Sequence, residues 1–280
     1  MKRGRESQTS VMVAVARAVA HGTSTVERFS DPTALTLLPE AARAEVERFR
    51  AGPPARGLGA RFQHVFMDRR SKVMVARTVA IDDAIRAHPT PQLVILGAGL
   101  DGRAWRMPEL RDTVVYEVDH PDTQREKRAR AAPLTPLARA IHFVPVDFTR
   151  DDLAEALTRA GHDAARPTTW IWEGVVMYLS ASEIDATLAV IKQRAAPGSR
   201  LIVAYHSPAL LLAVVGLVVR RLGEPLRSVH TPEKMRALLA ASGFEVRSDQ
   251  DVRSIGAALG PEVAAATRVI KHLRIVVAAR

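Results

Sequence analysis

The sequence predicts an α/β fold, a mostly parallel sheet covered on both faces and preceded by a helical cap. Three observations carry this. From residue 92 onward, short β-branched runs alternate with helical patterns, as strands joined by crossover helices do. Residues 93–102 (LVILGAGLDG) place a glycine-rich turn directly after an apolar run, and the next β-rich run ends in two acids, Glu117 and Asp119. Before all of this, residues 1–91 carry helical periodicity and no strand.

Taken in order, residues 10–21 (SVMVAVARAVAH) set apolar side chains at helical spacing, with Ser10 at the N-cap position. Asp31-Pro32 marks a turn or helix start, residues 40–49 are helical, and Gly52-Pro53-Pro54 breaks that pattern. A long helical pattern over 61–88 stops at His88-Pro89. Strands are expected at 93–96, 114–118, 141–146, 169–172, 200–205, 244–247 and 273–278, with helices at 121–132, 151–160, 182–195 and 232–242. No good crossover helix separates the last two strands. The expectation is therefore seven strands, the last antiparallel and at the far side of the sheet.

Composition narrows the chemistry. The 280 residues include no cysteine, which excludes disulfides, thiol nucleophiles and cysteine–metal sites. No His/Asp/Glu cluster has metal-ligand spacing, so no metal is expected. The net charge is +10, but the arginines are scattered and only three Trp and three Tyr are available for stacking, which argues against nucleic acid. An acidic small molecule suits the charge equally well. There is no signal-peptide core at the start, and the longest apolar run, 209–219, is too short to span a bilayer and contains Gly216. A cytoplasmic protein with no membrane partner is expected.

The turn itself admits two ligands. Gly97, Gly99 and Gly102 satisfy G-x-G-x-x-G, and Asp119 follows at about the spacing of a ribose-binding acid, so a NAD-dependent oxidoreductase is allowed. Against it, Asp101 places a carboxylate inside the turn, where a pyrophosphate calls for N–H donors. A cationic or neutral ligand tolerates that acid better.

Residues 96–106 (LGAGLDGRAWR) and 116–121 (YEVDHP) resemble the leucine carboxyl methyltransferase-like family. So do Val146-Asp147-Phe148 and residues 172–179 (WEGVVMYL), and the likeness runs through Asp31-Pro32, residues 223–226 (GEPL), 231–233 (TPE) and 243–246 (GFEV). Gly102 stands where that family usually has Thr, and His120 is uncommon in its place. The resemblance implies a Rossmann-like, seven-stranded class I methyltransferase sheet with an N-terminal helical cap. It also implies an S-adenosyl-L-methionine-dependent O-methyltransferase acting on a small organic acid or polyketide-like acceptor. The cap is expected over 1–91 and the cofactor-binding domain over 92–280. The apolar stretch near 207–230 is expected either as a lid insertion that supplies an apolar wall at 210–212 and 214–215, or as a core helix packed on the sheet.

Asp119 is expected at the ribose hydroxyls, on both spacing and resemblance, with Glu117 and Val118 beside it. Asp147 is placed to accept from the adenine amino group and Phe148 to pack on the ring, unless Asp147 serves instead as a helix N-cap. Arg77 corresponds to a family arginine that clamps the methionine carboxylate, a contact that suits a bidentate guanidinium. Gly97, Ala98, Gly99 and Asp101 are expected along the methionine portion, and Glu173 towards the same end. Tyr178, His206 and His230 are the polar groups to expect near the acceptor, unless Tyr178 is a core residue with its hydroxyl satisfied, His206 a strand-end polar residue and His230 part of a loop, the plainer reading for both histidines. A carboxylate acceptor is already ionised and needs no base, whereas a phenol would call on one such as His206.

Overall fold

The computed structural model describes residues 8–53, 57–148, 150–209 and 227–280. Its N-terminal part is helical: α1 (Gln8–Ala20), α2 (Ala34–Leu37), α3 (Glu40–Arg50) and the 30-residue α4 (Leu58–Ala87). The strands and helices then alternate as β1 (Gln92–Leu96), α5 (Arg103–Arg106), β2 (Val114–Asp119), α6 (Pro121–Ala131), β3 (Ala140–Pro145), α7 (Leu153–Arg159), β4 (Thr168–Trp172), α8 (Ala181–Arg194) and β5 (Arg200–His206). After these come α9 (Pro232–Ala241), β6 (Glu245–Asp251), α10 (Val252–Ala257), α11 (Pro261–Thr267) and β7 (Leu273–Ala279). A 3-10 turn, Val176–Tyr178, follows β4.

The seven strands form one sheet in the order β3-β2-β1-β4-β5-β7-β6. β1 to β5 pair in parallel, and β7 runs antiparallel to both of its neighbours. β1 shows why its apolar run is continuous rather than alternating. Leu93 and Ile95 pack with α1 and α4 on one face, and Val94 and Leu96 with α7 and α8 on the other. The N-terminal helices thus share one core with a face of the sheet, Ala14–Ala20 and Val73–Ile85 supplying most of their buried surface.

Two expectations are corrected at the far side. The last strand is not the edge: β7 lies between β5 and β6, and β6 takes the edge. The β6 strand reads EVRSDQD, and this polar run suits a half-exposed edge that resists pairing with another chain. Two short helices, α10 and α11, also lie between β6 and β7, where none was expected. They span six and seven residues, too few for a helical period to show. Their close approach depends on Gly256, where any Cβ would collide with Thr267 Oγ1.

Most of the segment expected to form a lid, residues 210–226, lies outside the described residues. Its return is anchored, since Arg227 N and Ser228 N both donate to Met177 O at 2.8 and 3.2 Å. Among the described residues, no helix is long and apolar enough to cross a membrane.

Candidate functional site

The carboxyl ends of β1, β2, β4 and β5 meet the N-terminal helices at the glycine turn. Gly97 N and Ala98 N both donate to Val118 O, at 2.8 and 3.0 Å, which ties the turn to the end of β2. Gly97 adopts φ 68° and Gly99 φ 48°, left-handed backbone that a side chain would strain. Space is equally tight. A Cβ at Gly97 would collide with Val175 Cγ2, and one at Gly99 would stand 2.9 Å from Ser10 Cβ. The start of α1 therefore packs directly on the turn.

Asp119, at the end of β2, turns its carboxylate back over this turn. Oδ2 accepts from Gly99 N at 2.5 Å and Oδ1 from His120 N at 2.6 Å. Burial raises its pKa, against those two donors. Glu117, two residues earlier on the same face, is 1% exposed, and its Oε2 lies 2.6 Å from Lys127 Nζ. Burial pushes Glu117 up to about 7, with Lys127 pulling the other way. Lys127 in turn lies over the Trp105 ring, 5.2 Å from its centroid.

Beneath the turn is a buried set of four arginines and four acids, which sequence reasoning recognised only in part. Arg103 is 2% exposed; its Nε lies 2.7 Å from Asp82 Oδ1 and its Nη1 2.9 Å from Glu173 Oε2, while Asp101 Oδ2 also pairs with Nη1. Arg106 Nη1 lies 2.7 Å from Asp82 Oδ2. Arg17 bridges from α1, with Nε 2.8 Å from Asp31 Oδ2 and Nη2 donating to Leu100 O at 2.5 Å. Arg77, expected as a clamp, is 6% exposed, and its Nε stands 2.7 Å from Glu173 Oε1. Burial would raise the Asp101 and Glu173 carboxyls, but the arginines hold both below their ordinary values. Asp101 is thus matched by Arg103 from below. The available signal for Asp82, which was missed, was charge inside an apolar run: it interrupts the Val73–Ile85 stretch, as the expected Arg77 also does.

Two of the three acceptor-side candidates lie within electrostatic reach of Arg77. Its charge is felt by Tyr178 and by His206 at the end of β5. Tyr178 Oη donates to Thr9 Oγ1 of α1 at 3.4 Å. The His206 ring stacks on His272 with centroids 5.4 Å apart, and burial, with His272 and Arg77 adding, holds His206 down to about 3. His230 N donates to His206 O at 2.9 Å. His206 Nδ1 and both ring nitrogens of His230 are buried without a hydrogen-bond partner among the described residues.

At the end of β3, Asp147 N donates to Asp151 Oδ2 at 2.8 Å, and the cap of α7 is Asp152, whose Oδ1 accepts from Glu155 N at 3.0 Å. The N-cap of α7 itself is therefore Asp152. Phe148 lines a cavity of about 480 Å³ with Leu153, Leu179 and Val190. Another, of about 660 Å³, opens between α1, α3 and α6. Neither is lined by the glycine turn or Asp119. Among the described residues, no group of three His, Asp or Glu side chains could hold a metal ion.

The donor set fits a cofactor of the S-adenosylmethionine kind. Glu117 Oε1 is buried near the turn with no hydrogen-bond partner among the described residues, Arg77 and Glu173 hold each other at 2.7 Å beside it, and Asp119 supplies a carboxylate at its lip. The sheet order with one reversed strand is that of class I methyltransferases. A solved methyltransferase candidate from Thermobifida fusca shares this fold at TM-score 0.54, with 18% identity over 95% of this chain and 94% of that one. Residues 10–192 match the family model of leucine carboxyl methyltransferase, and the chain belongs to that family. Relatives named as candidate S-adenosyl-L-methionine-dependent methyltransferases include one from Mycobacterium sp. strain JLS, 39% identical over 55% of this chain and 52% of its own length. One from Mycobacterium marinum is 35% identical over 71% of this chain and 65% of its own length. The chain spans about half the length of the curated relatives it matches.

Proposed function

We propose that this chain is an S-adenosylmethionine-dependent O-methyltransferase whose acceptor is the carboxylate of a small organic or polyketide-like acid. Family membership favours this over the oxidoreductase reading of the same glycines. In this reading Asp119 receives the ribose hydroxyls, with Glu117 and Val118 behind it. Asp147 and Phe148 serve the adenine, and Gly97, Ala98, Gly99 and Asp101 form the wall of the methionine portion. Arg77 and Glu173, paired across the site, orient its charged end. When bound, the cofactor supplies an electrophilic methyl on a good leaving group, so alignment and exclusion of water can provide most of the rate. Residues 1–91 act as the cap over the acceptor side, with Tyr178 and Thr9 closing it.

The observation that favours a carboxylate is the state of His206. Held down to about 3, it stays neutral at physiological pH and is a poor proton acceptor for a phenol of pKa about 10. His230 is likewise lowered by burial, with Lys234 adding. A carboxylate needs neither, and the ring nitrogens without a partner among the described residues are then left to position it.

The test uses labelled methyl donor with a panel of small acids and phenols. An acid should turn over to its methyl ester with a rate nearly flat from about pH 6 to about pH 9, because it is ionised throughout. Turnover confined to phenols, climbing through neutrality and lost in His206→Ala with cofactor affinity intact, would replace this reading with base-assisted phenol methylation.

A further inference from the structure

Helix α4 is longer than the core it serves. Its second half is buried, whereas Leu58, Phe62, Val65 and Phe66 in its first turns are 88%, 72%, 64% and 56% exposed. Their spacing of i, i+4, i+7 and i+8 gathers them into one stripe. Val269, 53% exposed, stands on the same flank, because Arg69 Nε donates to Ala266 O at 3.0 Å and so holds the end of α11 against α4. The polar surroundings are one-sided. Within residues 58–72 and 261–272, Arg61, Arg69, Lys72, Arg268 and Lys271 face only Asp68 and Glu262, while Arg70 turns away to donate to Met12 O of α1. Lys72 already lies 2.9 Å from the first of these acids and 3.9 Å from the second.

Grouped apolar side chains of this kind mark a contact surface. A second copy of the chain is one occupant to weigh. A twofold axis would set this patch against itself, bringing Arg61, Arg268 and Lys271 against the same cations, and like charges across an interface are costly. An anionic bilayer surface meets both features at once. The acyl boundary accepts Phe, Leu and Val, and lipid phosphates accept the surrounding arginines. We propose that the exposed half of α4, together with Val269, docks this protein on the surface of an anionic lipid bilayer. The contact is peripheral, since no described helix could cross the membrane. The expectation of no membrane partner rested on the lack of a spanning run, which a peripheral contact does not need.

Co-sedimentation of the full chain with phosphatidylcholine vesicles, with and without phosphatidylglycerol, tests this. Binding is expected only with the anionic lipid and should weaken as salt rises. The Phe62→Ser/Phe66→Ser variant should bind at least about tenfold more weakly, because two apolar anchors are lost. Arg61→Glu/Arg268→Glu should weaken it as well, and both variants should keep the unfolding midpoint, since the altered side chains are exposed. Should the serine variant fail to fold, the charge-reversal pair decides. The proposal is overturned by absence of binding to anionic vesicles, or by binding indifferent to both pairs of substitutions. A concentration-dependent dimer that the serine variant dissolves, without vesicle binding, would assign the patch to a second copy.

Discussion

Gly102 shows how one residue's chemistry is set by another seventy positions away in sequence. Its backbone, at φ −109° and ψ 4°, suits any amino acid. What excludes a side chain is Thr33, whose Oγ1 occupies the place a Cβ would take and donates to Asp31 Oδ1 at 2.7 Å. A threonine hydroxyl is thus present beside the turn although position 102 lacks one, supplied by the Asp31-Pro32 corner. Gly102→Ala should destabilise by roughly 1–3 kcal/mol through overpacking. In a Thr33→Ala background the same change should cost less, leaving a coupling of about 1 kcal/mol or more in urea melts. Additive costs would reject the steric account. The sequence exposed the departure at 102 plainly, but not its partner. Nothing in the pattern around Thr33 says that its hydroxyl points across the fold.

Between elements, Arg103 is the joint. It lies on α5, and its guanidinium meets the buried Asp82 of α4 and Asp101 of the turn, and Glu173 beyond β4, whose side chain is 10% exposed. Truncating it leaves three carboxylates without their shared cation. Arg103→Ala should therefore cost about 3–5 kcal/mol in denaturant unfolding, the scale for breaking a buried pair from one side. A loss under about 1 kcal/mol would mean the acids find other cations within the network. The elements themselves were largely legible, because β1, β2, β4 and β5 are apolar runs bounded by Gly, Pro or Asp. What was not legible follows from length and polarity: α10 and α11 are too short to show a period, and the second half of β6, SDQD, carries no β signal. The site divides the same way. Asp119 and the glycines could be read from local spacing, whereas Arg17, Asp82 and Arg106 enter it only through the tertiary fold.

For the whole molecule, buried titratable groups fix how stability should follow pH. Burial, aided by Arg194, holds His162 down to about 4, and burial holds His206 down to about 3. His230 and His272 are lowered as well, chiefly by burial. The geometry at His162 explains its preference. Arg194 Nε donates to Nδ1 at 3.3 Å and Thr168 Oγ1 lies 3.1 Å from Nε2, so a second ring proton would be set against a guanidinium. A histidine lowered on folding contributes stability that is present above its ordinary value near 6.5 and lost as pH falls below it, because the unfolded chain then binds the proton first. Glu117 runs the other way. Raised to about 7, it favours the fold below its ordinary 4.5, and that contribution is lost as pH rises through about 7. Between about 4.5 and 6.5 the two effects oppose each other, with four histidines against Glu117 and Asp119, whose pKa burial also raises. Net stability should therefore fall on acidification from about pH 6.5 to about pH 4.5, with proton uptake on unfolding. His162→Gln, which keeps a polar side chain near Arg194 and Thr168, should flatten that slope by up to about 1.4 kcal/mol per pH unit. The measurement is the urea midpoint across this range for both proteins. Parallel curves would show that His162 titrates alike in the folded and unfolded chains.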